Sequence, residues 1–184
     1  MNKISCISGV LLCASAIITG CADSEYSRYP CHLVINNLNV NNSTLASAMN
    51  PNSTGVFCRI SKEGTTRFKF ESNQGGEPTY GTQTKIDNNA NWTIGIYNGI
   101  IVGYGNLDGN FYAYDNQCRT CYESSGLPRY ALTLGVDGTA TCKSCHRVYD
   151  MNSGGIIVKG DKGKGMIRYH AMTTGPQGVL TVNN

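Results

Sequence analysis

The sequence has little net charge, few aromatic side chains and, after its first 20 residues, no long apolar segment. Its formal charge is +3, 9% of its residues are aromatic, and its lysines and arginines are scattered along 184 residues. Proteins that bind nucleic acid usually cluster their basic residues, so this composition argues against a nucleic-acid partner. After the N-terminal run, the chain has nothing close to the roughly 20 apolar residues that a membrane-spanning helix needs.

Residues typical of catalytic sites are also scarce. The chain has three histidines, at positions 32, 146 and 170, and none lies beside a recognisable nucleophile or metalloprotease motif. There is no paired-carboxylate pattern and no G-x-S-x-G segment, and the 12 acidic residues lie mostly in predicted turns. The sequence therefore contains no catalytic motif.

Glycine, by contrast, is abundant. Twenty-two glycines, together with Asn-Gly and Asp-Gly pairs, indicate tight turns between short strands. A length of 184 residues with 40% hydrophobic content suits one domain with one core. The sequence therefore predicts an all-β fold, an antiparallel β-sandwich or small barrel.

The N-terminus has the pattern of an export signal. One lysine precedes an apolar run over residues 4–18, and two small residues then lead to Cys21. The segment I-T-G-C resembles the lipobox of bacterial lipoproteins, which implies that residues 1–20 are removed and that Cys21 is lipidated. The alternative is a conventional signal cut elsewhere, with Cys21 a plain cysteine. The lipid would anchor the protein to a membrane of the bacterial cell envelope, on its periplasmic side or at the cell surface.

The rest of the chain is predicted to be a tether followed by one domain. Residues 21–30 are polar and contain a proline, as expected of a tether, and the β domain is predicted over residues 31–184. Besides Cys21, six cysteines remain after removal of the signal, and Cys31 and Cys58 are an isolated pair among them. In an exported protein this even number predicts a disulfide between the two. Two unpaired, buried thiols are the alternative, since some cell envelopes belong to anaerobes.

The other four cysteines form two C-x-x-C pairs. Cys118 and Cys121 are followed, after 20 intervening residues, by Cys142 and Cys145. Two such pairs on two loops can bring four thiolates to one point, which is the arrangement of a tetrahedral zinc site. Two disulfides, within or between the pairs, are the strongest alternative to a metal.

The cysteine pairs are predicted at the ends of two hairpins. A strand-turn-strand pattern over residues 93–115 delivers the first pair, and a hairpin across residues 135–138 delivers the second. Zinc-ribbon turns usually have glycine after the second cysteine, whereas Tyr122 and His146 occupy those positions, so we expect turns that differ in detail. A thioredoxin-like dithiol needs its first cysteine at a helix N-terminus, and both pairs here precede strand-like residues, which argues against that chemistry. The lysine-rich segment 159–165 is predicted to be a solvated loop.

The residues around the two pairs resemble the Rieske family. GNFYAYDNQC resembles the strand that leads to that family's first cluster loop, and CKSCHRVYD resembles its second loop, with Cys142 at a cysteine position. The closing strands, MIRYHAM and GVLTV, are similar as well. The resemblance covers residues 92–184 and implies a Rieske-like β fold, a 2Fe-2S cluster and one-electron transfer with a redox partner protein.

The ligand set that the resemblance implies departs from the family. A Rieske centre has two cysteines and two histidines, whereas the candidate ligands here are all cysteines: Cys118, Cys121, Cys142 and Cys145. Cys145 stands at the histidine position of the family's second loop. Thr120 fills the histidine position of the first loop, and Cys121 lies one residue after it. All-thiolate ligation implies a lower reduction potential than that of a His-ligated centre.

Neighbouring side chains are candidates for a supporting role. His146 is either a ligand that replaces one cysteine or, as we favour, a surface imidazole near the site. Tyr149 occupies the family's aromatic position and either donates its hydroxyl to a sulfur or packs in the core. Arg119, Lys143 and Arg147 either surround the thiolates with positive charge, which favours metal binding, or are ordinary exposed charges.

The sequence thus predicts an exported, lipid-anchored protein with a Rieske-like β domain that binds an iron-sulfur cluster or a metal through four cysteines. The implied activity is electron transfer, as an oxidoreductase component at most. The alternative is a structural or binding lipoprotein in which the same cysteines hold zinc or disulfides and have no redox role.

Overall fold

The computed structural model describes residues 26–82, 92–97 and 99–184. The predicted signal, residues 1–20, and the predicted lipidation site Cys21 lie outside these ranges. None of the helices in the described ranges is long and apolar enough to cross a membrane. The strands are β1 His32–Asn36, β2 Phe57–Glu63, β3 Arg67–Ser72, β4 Thr79–Thr82, β5 Gly99–Tyr104, β6 Phe111–Asp115, β7 Leu132–Leu134, β8 Thr139–Cys142, β9 Val148–Asp150, β10 Ile156–Lys159, β11 Arg168–Thr173 and β12 Val179–Asn183. The helices are α1 Asn37–Val40, α2 Ser43–Ala48 and α3 Arg119–Ser125, and a 3₁₀ turn spans Met151–Ser153.

Eight strands form one antiparallel sheet that curls into a half-barrel, in the order β1-β12-β11-β6-β5-β2-β3-β4. The first four strands of the chain therefore belong to the same sheet as strands from its second half. β1 pairs along its whole length with β12, from His32 opposite Asn183 to Asn36 opposite Val179. The predicted all-β class is confirmed.

Alternation of side chains across the strands builds the main core inside the curl. Ile60 on β2 lies opposite Phe70 on β3 and Ile100 on β5, and all three are fully buried. Neighbouring residues of a strand point to opposite faces. The residues beside Ile60 and Phe70 are therefore partly exposed, whereas Ile101 on β5 is buried on the opposite face, in a second core cluster. Each such side chain contributes about 1.5–3 kcal/mol through its removal from water.

The asparagine-rich segment after β1 forms two short helices, α1 and α2, within the domain that is predicted to be all-β. The side chain of Asn42 accepts a hydrogen bond from the Leu45 amide at 2.9 Å and so caps the start of α2. The same asparagine donates to Thr79 on the edge strand β4 at 3.0 Å. Val40 of α1 lies so close to Gly81 of β4 that a Cβ there would be 2.2 Å from its Cγ1. The two helices thus cover the open side of the half-barrel.

A second, smaller sheet carries the second cysteine pair. Its four strands follow the order β10-β9-β8-β7 and are antiparallel where they pair. The predicted hairpin across residues 135–138 is present between β7 and β8, and Gly138 supplies the positive φ of +78° that the turn requires. Tyr149 and Ala140 pack with Tyr114 of the large sheet in a second core cluster. This cluster holds the cysteine end of the small sheet against β6.

The predicted disulfide between Cys31 and Cys58 is not formed, and both residues are free, buried thiols. Cys31 lies just before β1 and Cys58 on β2, and four strands separate β1 from β2 in the sheet. Burial raises the pKa of Cys31 to about 12 and raises that of Cys58 as well. The even count of cysteines favours a bond, but the alternative of two unpaired, buried thiols holds, and both residues belong to the main core cluster.

The described part of the predicted tether, residues 26–30, packs on the domain. The Ser27 amide donates to the Arg168 carbonyl at 2.8 Å, and the Tyr26 ring stacks on His170 with centroids 3.7 Å apart. Tyr29 makes an edge contact with Tyr122 on α3, with centroids 5.5 Å apart. Tyr29 therefore lies at the cysteine end of the domain, and Tyr26 and Ser27 lie beside β11.

A buried carboxyl group lies at the end of β6, just before the first cysteine pair. Oδ2 of Asp115 accepts from the Ile96 amide at 2.6 Å and from the Tyr169 hydroxyl at 2.7 Å. Its Oδ1 is buried and makes no hydrogen bond within the described residues. Burial, only partly offset by these hydrogen bonds, raises the pKa of Asp115 to about 6.

We predict that Asp115→Asn removes a pH-dependent loss of stability. Because the folded-state pKa of Asp115 lies above its ordinary value of 3.8, the stability it confers is fully present below that value and is lost as the pH rises through about 6. Relative to Asp115→Asn, the unaltered protein should therefore lose up to about 3 kcal/mol of unfolding free energy between pH 4 and pH 7. The asparagine oxygen can keep both hydrogen bonds.

Urea unfolding of both proteins at several pH values measures this difference. Asp161→Asn, which removes an exposed carboxylate, controls for the change in net charge. A stability difference that stays constant from pH 4 to pH 7 would contradict the prediction.

Candidate metal centre

The first cysteine pair lies at the start of a helix, not at the tip of a hairpin. Cys118 is the N-cap of α3 and Cys121 lies in its first turn. The helix ends where Gly126 adopts a φ of +70°, and its amide donates to the Tyr122 carbonyl. The expectation that both pairs precede strands is therefore wrong for the first pair. Gly126 followed by Pro128 is the sequence signal for the end of a helix that points to α3.

The second pair lies on the tight turn between β8 and β9. Cys142 is the last residue of β8, and the His146 amide donates to its carbonyl at 2.9 Å. His146 has a φ of +59°, the left-handed conformation that glycine adopts most readily. Histidine thus takes the conformation that a glycine at this position would provide.

The helix and the turn bring the four cysteines together. All four sulfur atoms lie within 4.8 Å of one another. Contacts of 3.7 Å join Cys118 to Cys145 and Cys121 to Cys142, so each links the helix to the turn. No disulfide joins any cysteines in the described ranges, and Cys118, Cys121 and Cys142 are buried while Cys145 is partly exposed. The predicted convergence of the two cysteine pairs at one point is confirmed, with a helix in place of one of the two loops.

One hydroxyl is directed at this group of sulfurs. The Tyr149 hydroxyl lies 3.2 Å from the sulfur of Cys118, and its ring is fully buried in the second core cluster. Tyr149 therefore both packs in the core and lies within hydrogen-bonding distance of a sulfur, so that both predicted roles apply. Burial raises the pKa of Cys118, and the Tyr149 hydrogen bond opposes this effect by favouring the thiolate.

Cys145 differs from the other three cysteines in its electrostatic surroundings. Partial burial raises its pKa, but hydrogen bonds from the backbone and side chain of Arg147 and from the neighbouring thiols outweigh this and lower it to about 7. Burial raises the pKa of Cys121, and the nearby thiols raise it further. Four thiols at this spacing cannot all ionise without a compensating cation, because like charges would then lie within 4.8 Å of one another.

A third loop, between β10 and β11, borders the same site. The Arg147 guanidinium donates to the carbonyls of Asp161 and Lys162 at 2.9 and 3.3 Å. Gly163 lies so close to α3 that a Cβ there would be 3.5 Å from Thr120 Oγ1. The segment 159–165, predicted to be only a solvated loop, is thus held against the cysteine site. The arginine that orders it lies 14 residues earlier in the sequence, so the local pattern contained no signal for the contact.

The other candidate residues lie at the rim. His146 is exposed, and the group of close ligand atoms found in the described residues contains no histidine. Arg119 pairs with Glu123 on α3 at 2.9 Å. Lys143 is exposed on the β8–β9 turn. Of the three predicted basic neighbours, Arg147 lowers the pKa of a cysteine, Cys145.

This arrangement can hold a metal ion. Four cysteine sulfurs that converge from two elements provide the donors that zinc and iron prefer, and hydrogen bonds to the thiolates orient and stabilise them. Comparison of the chain with protein-family models, with curated proteins and with solved structures finds no match.

We predict that Tyr149→Phe alters the metal site electronically as well as destabilising the fold. Loss of the hydrogen bond to Cys118 makes that thiolate more electron-rich, so the sulfur-to-metal charge-transfer band of the cobalt-loaded protein should move to lower energy. The buried hydroxyl should contribute about 1 kcal/mol to the free energy of unfolding.

Tyr114→Phe is the matched control, because Tyr114 is equally buried and its hydroxyl donates to the Met151 carbonyl at 2.8 Å instead of to sulfur. It should lose a similar amount of stability and leave the cobalt band unchanged. Equal band positions in both variants would show that Tyr149 only packs.

Proposed function

We propose that this protein is an exported, lipid-anchored electron-transfer protein whose four cysteines hold iron. The observation that carries the proposal is the convergence of four cysteine sulfurs, with the Tyr149 hydroxyl 3.2 Å from the sulfur of Cys118. Arg147, on the turn beside Cys145, favours the thiolate form of that cysteine. Hydrogen bonds to the sulfur ligands and their exposure to solvent are main determinants of the reduction potential of an iron-sulfur centre. Iron bound by thiolates supplies a one-electron redox couple.

The sulfur spacing favours a single ion. A tetrahedral ion with metal–sulfur bonds of about 2.3 Å places its sulfur ligands about 3.8 Å apart. The two contacts of 3.7 Å match this value, and all four sulfurs lie within 4.8 Å of one another. The 2Fe-2S cluster that the Rieske resemblance implies would require a larger separation between two pairs of thiolates, because two irons and two sulfides lie between them. An all-cysteine 2Fe-2S cluster would have a low potential relative to a His-ligated cluster.

Cys145 is the ligand best placed to exchange an electron with a partner. It is partly exposed, whereas the other three cysteines are buried. An electron that enters or leaves through Cys145 would travel the shortest path between the metal and the protein surface. Tyr149, in the core, would stabilise the thiolate of Cys118, and Arg147 would stabilise the thiolate of Cys145.

A structural zinc site is the second candidate, and one observation favours it. Two of the four cysteines lie on α3, which follows β6, and two lie on the β8–β9 turn of the small sheet. An ion bound by all four would therefore hold the small sheet against the end of β6. Zinc fits a compact four-thiolate site as well as iron does and has no redox chemistry. In this case the protein would be a structural or binding lipoprotein.

Replacement of one ligand tests the metal assignment. Cys145→Ser should abolish or strongly alter the visible absorption of the iron-loaded protein, because one thiolate-to-iron charge-transfer contribution is lost. Cys58→Ser is the control, since Cys58 is a buried free thiol of the large sheet outside the close group of four cysteines, and its spectrum should remain unchanged. An unchanged spectrum in Cys145→Ser would remove that residue from the ligand set.

The lipid anchor has its own test. Cys21→Ser should release the protein from membranes into the soluble fraction, because the thioether to the lipid can no longer form. Firm membrane attachment of Cys21→Ser, compared with the unaltered protein in the same fractionation, would contradict the lipoprotein proposal.

A further inference from the structure

The surface around Cys145 has a strong excess of positive charge. It is formed by α3, the β8–β9 turn and the β10–β11 loop, and we refer to it as the cysteine face. Its basic residues are Arg119, Lys143, Arg147, Lys159, Lys162 and Lys164, and its acidic residues are Glu123 and Asp161. Six basic and two acidic residues give this face a formal charge of +4.

The excess is specific to this face. The chain has 15 basic and 12 acidic residues, so nine basic and ten acidic residues remain elsewhere, a formal charge of −1. All of the chain's net positive charge is therefore concentrated in three segments that meet at one site. Four thiolates around a divalent ion would contribute −2, which leaves the face with a charge of about +2.

The basic residues of the face divide into two groups. Arg119 and Lys164 pair with Glu123, at 2.9 and 3.7 Å, and Arg147 is largely buried beside Cys145 and the β10–β11 loop. Lys143, Lys159 and Lys162 are exposed and make no ion pair within the described ranges. The first group neutralises and orders the site, whereas the three exposed lysines direct their charge to solvent.

We propose that the cysteine face is the docking surface for an acidic partner protein, whose carboxylates engage Lys143, Lys159 and Lys162 around the exposed edge of Cys145. Complementary charge of this kind steers association and fixes orientation more than it adds affinity. The role of that partner as donor or acceptor of the electron rests on the proposed function. The docking surface itself does not depend on which metal the cysteines hold.

The course of the N-terminal segment favours a protein over an anionic membrane as the occupant. Tyr29 contacts α3 beside the face, and the chain reaches His170 on β11 at Tyr26. Arg168 of β11 pairs with Tyr114, four residues before Cys118, and β11 runs antiparallel to β6. His170 therefore lies further from the cysteines than Arg168 does. Tyr26, where the described residues begin, therefore lies beside β11 and away from the cysteine face.

The test uses a fluorescein-labelled peptide of about twelve glutamate and aspartate residues as the acidic probe, and the metal-loaded full chain carrying Cys21→Ser. At low ionic strength the peptide should bind, and binding should weaken steeply as salt is added. Lys143→Gln, Lys159→Gln and Lys162→Gln combined should weaken binding about tenfold, with the metal content unchanged. Arg28→Gln, Arg67→Gln and Lys69→Gln combined remove the same charge elsewhere and should leave the Kd nearly unchanged.

Absence of peptide binding, or an equal loss in both triple variants, would overturn the proposal. Vesicles of phosphatidylglycerol that bind more tightly than the peptide, through the same three lysines, would overturn it in favour of a membrane surface. Failure of the proposed function is distinguishable from both results. If the chain carries zinc and still binds the peptide, the proposal of electron transfer fails and that of the docking surface stands. If the chain carries iron and does not bind the peptide, only the proposal of the docking surface fails.

Discussion

The cysteine end of this protein depends on four sulfur atoms held within 4.8 Å of one another, three of them buried. As thiolates they repel each other at this distance in a medium of low dielectric, and a bound cation removes that repulsion. Metal binding and the packing of α3 against the β8–β9 turn are consequently one coupled equilibrium. The second core cluster supports the site from beneath through Tyr149 and Tyr114. On the opposite side, Arg147 connects the site to the β10–β11 loop through its hydrogen bonds to the carbonyls of Asp161 and Lys162.

The sequence predicts much of this arrangement because its signals are local. The spacing of the two C-x-x-C pairs predicts their convergence, alternation predicts the strands, and the turn at residues 135–138 predicts the hairpin that carries Cys142. The sequence does not predict the helix α3, although Gly126 and Pro128 mark its end. The strand-like residues downstream outweighed that signal.

Other features could not be predicted because they depend on tertiary contacts. The even count of cysteines after the predicted signal favours a disulfide, but whether Cys31 and Cys58 meet depends on a strand order in which four strands lie between β1 and β2. The hydrogen bonds of Arg147 to Asp161 and Lys162 join segments that are distant in sequence. The left-handed conformation of His146 is one that histidine tolerates better than most residues, so the missing glycine did not prevent the turn.

The most direct test of the account is the metal and acid-labile sulfide content of the protein purified without oxygen, measured together with its visible spectrum. The account predicts one iron per chain, little acid-labile sulfide and thiolate-to-iron charge-transfer bands. Two irons with two sulfides would retain electron transfer but contradict the single-ion geometry. Zinc alone, or four cysteines without metal and joined as disulfides, would contradict the central claim that this site holds iron.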